Sequence, residues 1–166
     1  MKYILFVWLG MLLFGVSTAQ EKPDPEVFHH PLEVSPNPPQ KIKGWTYVAD
    51  WGEANSSPAQ QNEVSVLIGS YPGQIINFPF SGDAVGIAVY AGEEAGMIEF
   101  SVDEADWQTL DLFSITSDSK YTLKYFTLES ELKGKNHMLQ IRVSADNNPN
   151  SKAQKCILRY FVVNAN

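Results

Sequence analysis

The sequence predicts an all-β domain, a single antiparallel β-sandwich of about eight or nine strands. Short apolar runs follow one another from residue 45 to residue 163, none long enough for an amphipathic helix. Turn signals separate them at close spacing, the signature of sandwiches and barrels. Within several runs apolar and polar residues alternate with a period of two, which gives a strand one core face and one outer face.

Taken in order, WTYVADW (45–51) and EVSVLIG (63–69) open the series, and Tyr71-Pro72-Gly73 turns the chain into QIINFPF (74–80). After Ser81-Gly82-Asp83 comes AVGIAVY (84–90), in which Val85, Ile87 and Val89 share one face and Gly86, Ala88 and Tyr90 the other. The stretch from Gly92 to Gly96 leads into MIEFSV (97–102), where Ile98, Phe100 and Val102 alternate with Glu99, Ser101 and Asp103. Asp103-Glu104-Ala105-Asp106 reads as a reversal, and WQTLDLF (107–113) runs back. There Gln108, Leu110 and Leu112 share one face and Trp107, Thr109 and Asp111 the other, so Trp107 points away from the leucines. YTLKYFTL (121–128), HMLQIRVS (137–144) and KCILRYFVV (155–163) complete the set, separated by Lys133-Gly134-Lys135-Asn136 and Asn147-Asn148-Pro149-Asn150.

Two segments precede the sandwich. Residues 1–19 carry Lys2, an apolar run from Ile4 to Val16 and the small residues Ser17, Thr18 and Ala19. This is the pattern of a secretory signal peptide cleaved after Ala19, the run being short for a membrane span; a retained anchor is the weaker alternative. Residues 20–43 hold most of the prolines and read as an extended linker or a wrapping arm. The sandwich then occupies 44–166. The expected location is exported, periplasmic or secreted, with no membrane insertion after cleavage.

Composition narrows the partners. The net charge of −7 argues against nucleic acid and anionic membranes, which need a basic patch. Cys156, the single cysteine, excludes an internal disulfide and reads as a small core residue within its apolar run. The histidines are His29, His30 and His137. No metal-ligand spacing, nucleophile elbow or P-loop is present. A Ser-His-Asp set around His137 is weighed against a strand-end histidine facing solvent, and the second is the simpler reading. Asp103, Glu104 and Asp106 are the weak candidates for calcium; otherwise no cofactor is expected, and solvated acids at a hairpin tip are the plainer account. Paired carboxylates there for glycoside hydrolysis are disfavoured on the same ground.

Aromatic residues beside Arg, Asp and Asn are what carbohydrate recognition requires, because sugar rings stack on flat side chains and their hydroxyls take hydrogen bonds. Trp107, Tyr90, Arg142, Arg159 and Tyr121 are the candidate ligand-binding residues, each set against an ordinary core role for the rings and a surface ion pair for the arginines.

GDAVGIAVYAGEEAGMIEFSVDEADWQTLDLF (82–113) and LKGKNHMLQIRVSADNNPNSKAQKCILRYFVVN (132–164) resemble the accessory, non-catalytic β-sandwich domain of exported SGNH/GDSL-type esterases of Bacteroidetes. Gly82, Val85, Gly86, Gly92, Gly96, Glu99, Phe100, Asp103, Trp107, Asp111 and Leu112 carry the first block. His137, Leu139, Ile141, Arg142, Ser144, Ser151, Lys152, Phe161, Val163 and Asn164 carry the second. Where that pattern has Asp-Gly-Gly, this chain has Asp103-Glu104-Ala105, and residues 115–128 depart from it altogether. The serine, Gly-x-Asn-Asp and Asp-x-x-His blocks of the esterase domain are missing. The resemblance implies a jelly-roll-like, galactose-binding-like module that is no enzyme and whose partner is carbohydrate or a carbohydrate-active enzyme. Two readings from other classes stand beside it: a divergent SGNH/GDSL-type hydrolase component, and a structural protein of the cell envelope.

Overall fold

The computed structural model describes residues 21–36, 43–52, 64–115 and 120–164. The expected signal peptide at 1–19, residues 37–42 of the proline-rich segment, residues 53–63 and residues 116–119 lie outside them. Among the described residues there are ten strands and no helix. These are β1 (Pro31–Val34), β2 (Trp45–Val48), β3 (Val66–Gly69), β4 (Ile75–Phe80) and β5 (Val85–Gly92), then β6 (Met97–Val102), β7 (Gln108–Asp111), β8 (Tyr121–Glu129), β9 (His137–Val143) and β10 (Cys156–Asn164).

They form two antiparallel sheets. The larger has the order β2-β3-β10-β5-β8, with β1 pairing β10 beside β3. The smaller has the order β4-β9-β6-β7. Alternation explains how they meet. Val85, Ile87 and Val89 of β5 and Leu158, Phe161 and Val163 of β10 face Ile98, Phe100 and Val102 of β6 and Leu139, Ile141 and Val143 of β9 in one buried core. The all-β sandwich read from the sequence is the observed architecture.

The second strand set of β5 departs from that reading. Gly86, Ala88 and Tyr90 face outward, yet all are buried, because the chain covers the outer side of the larger sheet itself. Phe28, only 4% exposed, packs on Ala84, Ala88 and Val162. Trp51 covers Tyr90, Tyr121, Ile157 and Val66. The proline-rich segment therefore supplies part of the sandwich, which begins before Gly44. Its end is fixed at Asn164, whose side chain accepts the N–H of His30 at 2.9 Å and donates to Asp83 Oδ1 at 2.8 Å. Gly82 has φ +148°, and a Cβ there would lie 2.3 Å from the carbonyl oxygen of Asn164. Only glycine lets these two backbones approach so closely.

Among the described residues, the smaller sheet has no such cover on its outer face. Ile75, Asn77 and Pro79 of β4, Met138, Gln140 and Arg142 of β9, Glu99 of β6 and Thr109 of β7 all keep surface in contact with solvent.

Candidate functional site

The site begins at the reversal between β6 and β7. Asp103 and Glu104 have φ of 52° and 62°, and the N–H of Ala105 donates to the carbonyl of Val102 at 3.1 Å. Both central residues are left-handed, the arrangement of a type I′ hairpin turn, whose usual occupants are Asn and Gly. A regular hairpin on this turn would pair Val102 with Ala105 and Phe100 with Trp107. The observed partner of Phe100 is Gln108. One extra residue on the returning side displaces the register by one, and that transfers every following side chain to the other face. Trp107, which would otherwise join Phe100 in the core, is turned outward across from Ser101, while Leu110 and Leu112 stay buried.

Asp103 holds the turn. One carboxylate oxygen shares a 2.6 Å hydrogen bond with Nδ1 of His137, the other accepts the N–H of Met138 at 2.8 Å, and the N–H of Asp103 donates to the carbonyl of Met138 at 2.9 Å. The bond from His137 keeps the Asp103 carboxyl below the usual carboxylate range. His137 is buried under Phe80, which corrects the expectation of a solvent-facing strand-end histidine. Its Nε2 has no hydrogen-bond partner among the described residues. Of the weak calcium candidates Asp103, Glu104 and Asp106, Asp103 has both carboxylate oxygens engaged, and among the described residues no group of three His, Cys, Asp or Glu is placed to hold a metal ion.

On the open face of the smaller sheet, register places Ile75, Arg142, Glu99 and Thr109 in one row across four strands. Arg142 Nε donates to Glu99 Oε2 at 2.5 Å, and the other oxygen of Glu99 accepts from Ser144 Oγ at 3.1 Å. The guanidinium lies over the Trp107 ring, 4.1 Å from its centroid. The adjacent row is Asn77, Gln140 and Ser101, with Trp107 continuing it. Gln140 Nε2 donates to Asn77 Oδ1 at 2.9 Å. Ser101 is an outward residue only 1% exposed, its hydroxyl donated to the carbonyl of Ala105. The result is a flat stack of indole and guanidinium beside an amide pair.

Trp107 and Arg142 thus come together, as two of the five candidate ligand residues. The other three sit on the larger sheet. Tyr90 is 4% exposed with its ring 4.4 Å from that of Trp51, and Tyr121 is buried on the other side of Trp51 at 5.3 Å. The Tyr121 hydroxyl donates to Glu94 at 2.8 Å, and burial raises the pKa of both phenols. Their expected role at a binding surface gives way to packing, because Trp51 covers the face that alternation alone leaves open. Arg159 stands at the irregularity between Leu158 and Tyr160, stacked on the Tyr160 ring and donating to the carbonyl of Ser65 at 2.8 Å. Glu99, Asn77 and Gln140 were not among the candidate ligand-binding residues. Their signal is the outward position they share by alternation, and only strand pairing brings them to the same place.

No protein-family model matches the chain, and no curated protein matches it. Among solved structures, the fold is similar to a two-domain esterase active on acetylated mannans, crystallised with mannopentaose, at a TM-score of 0.55 and 14% identity over 86% of this chain. The same esterase without that ligand gives a TM-score of 0.55 over 87%. This chain spans 38% of the length of that esterase. A family two carbohydrate esterase from Cellvibrio japonicus gives a TM-score of 0.46 at 13% identity, covering 82% of this chain and 33% of that one. The neighbours are carbohydrate-active enzymes, and at these identities the likeness is one of fold.

Proposed function

We propose that this protein is a non-catalytic, exported β-sandwich module that binds carbohydrate through the open face of its smaller sheet. One observation carries the reading: the described residues bury the outer face of the larger sheet with Phe28 and Trp51, and leave the opposite face open with Trp107 turned onto it. A register shift that moves a tryptophan out of a core forfeits burial a folding chain ordinarily uses, and a sugar-stacking surface is a use for it. The fold neighbour's action on acetylated mannans supports a carbohydrate ligand, and the unpartnered Nε2 of His137 supports the absence of catalysis. Without a base beside a hydroxyl, no serine is activated at neutral pH.

Docking onto a carbohydrate-active enzyme is the second reading. It is favoured by Ile75 and Met138, large apolar residues exposed on the same face, and by the two-domain build of the esterase neighbour. Binding of the purified chain to immobilised polysaccharides, with Trp107→Ala beside it, separates the two. Loss of glycan retention in a folded Trp107→Ala protein supports the first. Retention of a carbohydrate esterase with no glycan retention supports the second. Hydrolysis of acetylated sugars by the purified chain would overturn the non-catalytic reading.

A further inference from the structure

Resting on the carbohydrate-binding reading, the geometry points to a narrower ligand: a neutral oligosaccharide lying across the strands along the row from Asn77 through Gln140 and Ser101 to Trp107. The first argument is charge. The whole chain carries −7, yet along the rows of this face the charges are Arg142 and Glu99, bonded to one another, and Asp111 at the margin, which accepts from Asn148; the exposed Asp103, Glu104 and Asp106 belong to the turn before Trp107 and to neither row. The remaining outward residues named above are uncharged. A polyanionic glycan needs unpaired cations and an amine-bearing one needs unpaired carboxylates, because a charge brought onto such a surface without a counter-charge loses its hydration. A neutral sugar has no such requirement.

The second argument is hydrogen-bonding capacity. Gln140 uses one amide hydrogen on Asn77 Oδ1. That orientation leaves the Gln140 carbonyl oxygen to accept and the Asn77 amide to donate, side by side. Each hydroxyl of a sugar both donates and accepts, so a neighbouring pair of hydroxyls fits this pair of amides. Ser101 between them and Trp107 is small, buried and already bonded to Ala105, so it offers a ligand no hydrogen bond and the amides supply the polar end of the row. The third argument is length. The row crosses four strands about 4.8 Å apart, so its ends are roughly 14 Å distant. A single pyranose ring cannot reach both the amides and the indole, whereas a short chain of sugars does.

The test titrates the purified chain calorimetrically with cellohexaose, mannohexaose and xylohexaose, then hexagalacturonate and a chitosan hexamer, then the parent monosaccharides, at low and high salt. At least one neutral hexamer is expected to bind, with salt-independent affinity and about tenfold or more over its monosaccharide. The double substitution Asn77→Ala/Gln140→Ala, at two solvent-exposed positions, is expected to weaken it by about tenfold with an unchanged melting temperature. A preference for hexagalacturonate or chitosan, a monosaccharide that binds as well as the hexamer, or a double variant with unaltered affinity overturns the proposal while leaving the carbohydrate reading standing. Failure of every glycan to bind overturns both.

Discussion

Glu104→Gly and Asp103→Gly should change stability in opposite directions, although the two residues are adjacent and share a left-handed backbone. At φ 62° Glu104 crowds its Cβ against the backbone, at a cost of about 1–2 kcal/mol that glycine relieves. Glycine also frees the unfolded chain, returning roughly 0.5–1 kcal/mol of that gain. The net expectation is a protein more stable by about 0.5–1 kcal/mol, a rise of a few degrees in melting temperature for a chain of this size. Asp103 at φ 52° gains the same relief from glycine, but it loses the hydrogen bonds to His137 and to the N–H of Met138. Bonds to a charged group are worth about 1.5–3 kcal/mol each in favourable settings, and Nδ1 of a buried histidine would be left without its partner. Asp103→Gly should therefore be less stable by about 2 kcal/mol or more. Urea titration of both variants beside the parent protein measures this, with tryptophan fluorescence reporting whether Trp107 keeps its surroundings. A destabilised Glu104→Gly, or a stabilised Asp103→Gly, would refute the account of the turn as strain held in place by one carboxylate.

Three further outcomes are expected. Glu94 is bonded to Lys155, Lys120 and Tyr121, and these hold its carboxyl down to about 2. A depressed folded pKa contributes stability above the unfolded carboxylate range that is lost as the pH falls toward 2, so the melting temperature should drop across that window and Glu94→Gln should flatten the drop. Burial pushes the Cys156 thiol up to about 12, so a thiol reagent at pH near 8 should leave the native protein unmodified and react fully in denaturant. Phe28→Ala should cost on the order of 3–5 kcal/mol, measured by thermal unfolding, because Phe28 is buried on Ala84, Ala88 and Val162 as a core residue is. A near-neutral effect would place the proline-rich segment outside the cooperative fold.

Alternation and turn residues made the fold legible: each of the nine apolar runs from 45–51 to 155–163 overlaps one of the strands β2 to β10. β1 was hidden, since Pro31-Leu32-Glu33-Val34 is short and opens with a residue that belongs at the start or edge of a strand. The outward aim of Trp107 was legible because Leu110 and Leu112 already occupied the other face. Its cause was less so, for the extra residue shows only when Phe100 is seen to pair with Gln108. Tyr90 and Tyr121 could not be placed from local pattern. What buries them is Trp51, and period-two alternation describes one strand at a time, not what another segment lays over it. The bond between Glu99 and Arg142 spans 43 positions in the chain and depends on the register of β6 against β9.

β10, from Cys156 to Asn164, pairs with β1, β3 and β5 at once, and these lie far before it in the chain. The larger sheet is thus assembled around a strand that follows all its other members in the chain. Until that strand has emerged, β3 and β5 have no hydrogen-bonded connection to each other and β1 has no partner, so an incomplete chain holds open edges. Long-range pairing of this kind makes folding slow, typically milliseconds to seconds, because loop closure must precede the contacts that reward it. Commitment to the native state therefore waits for β10.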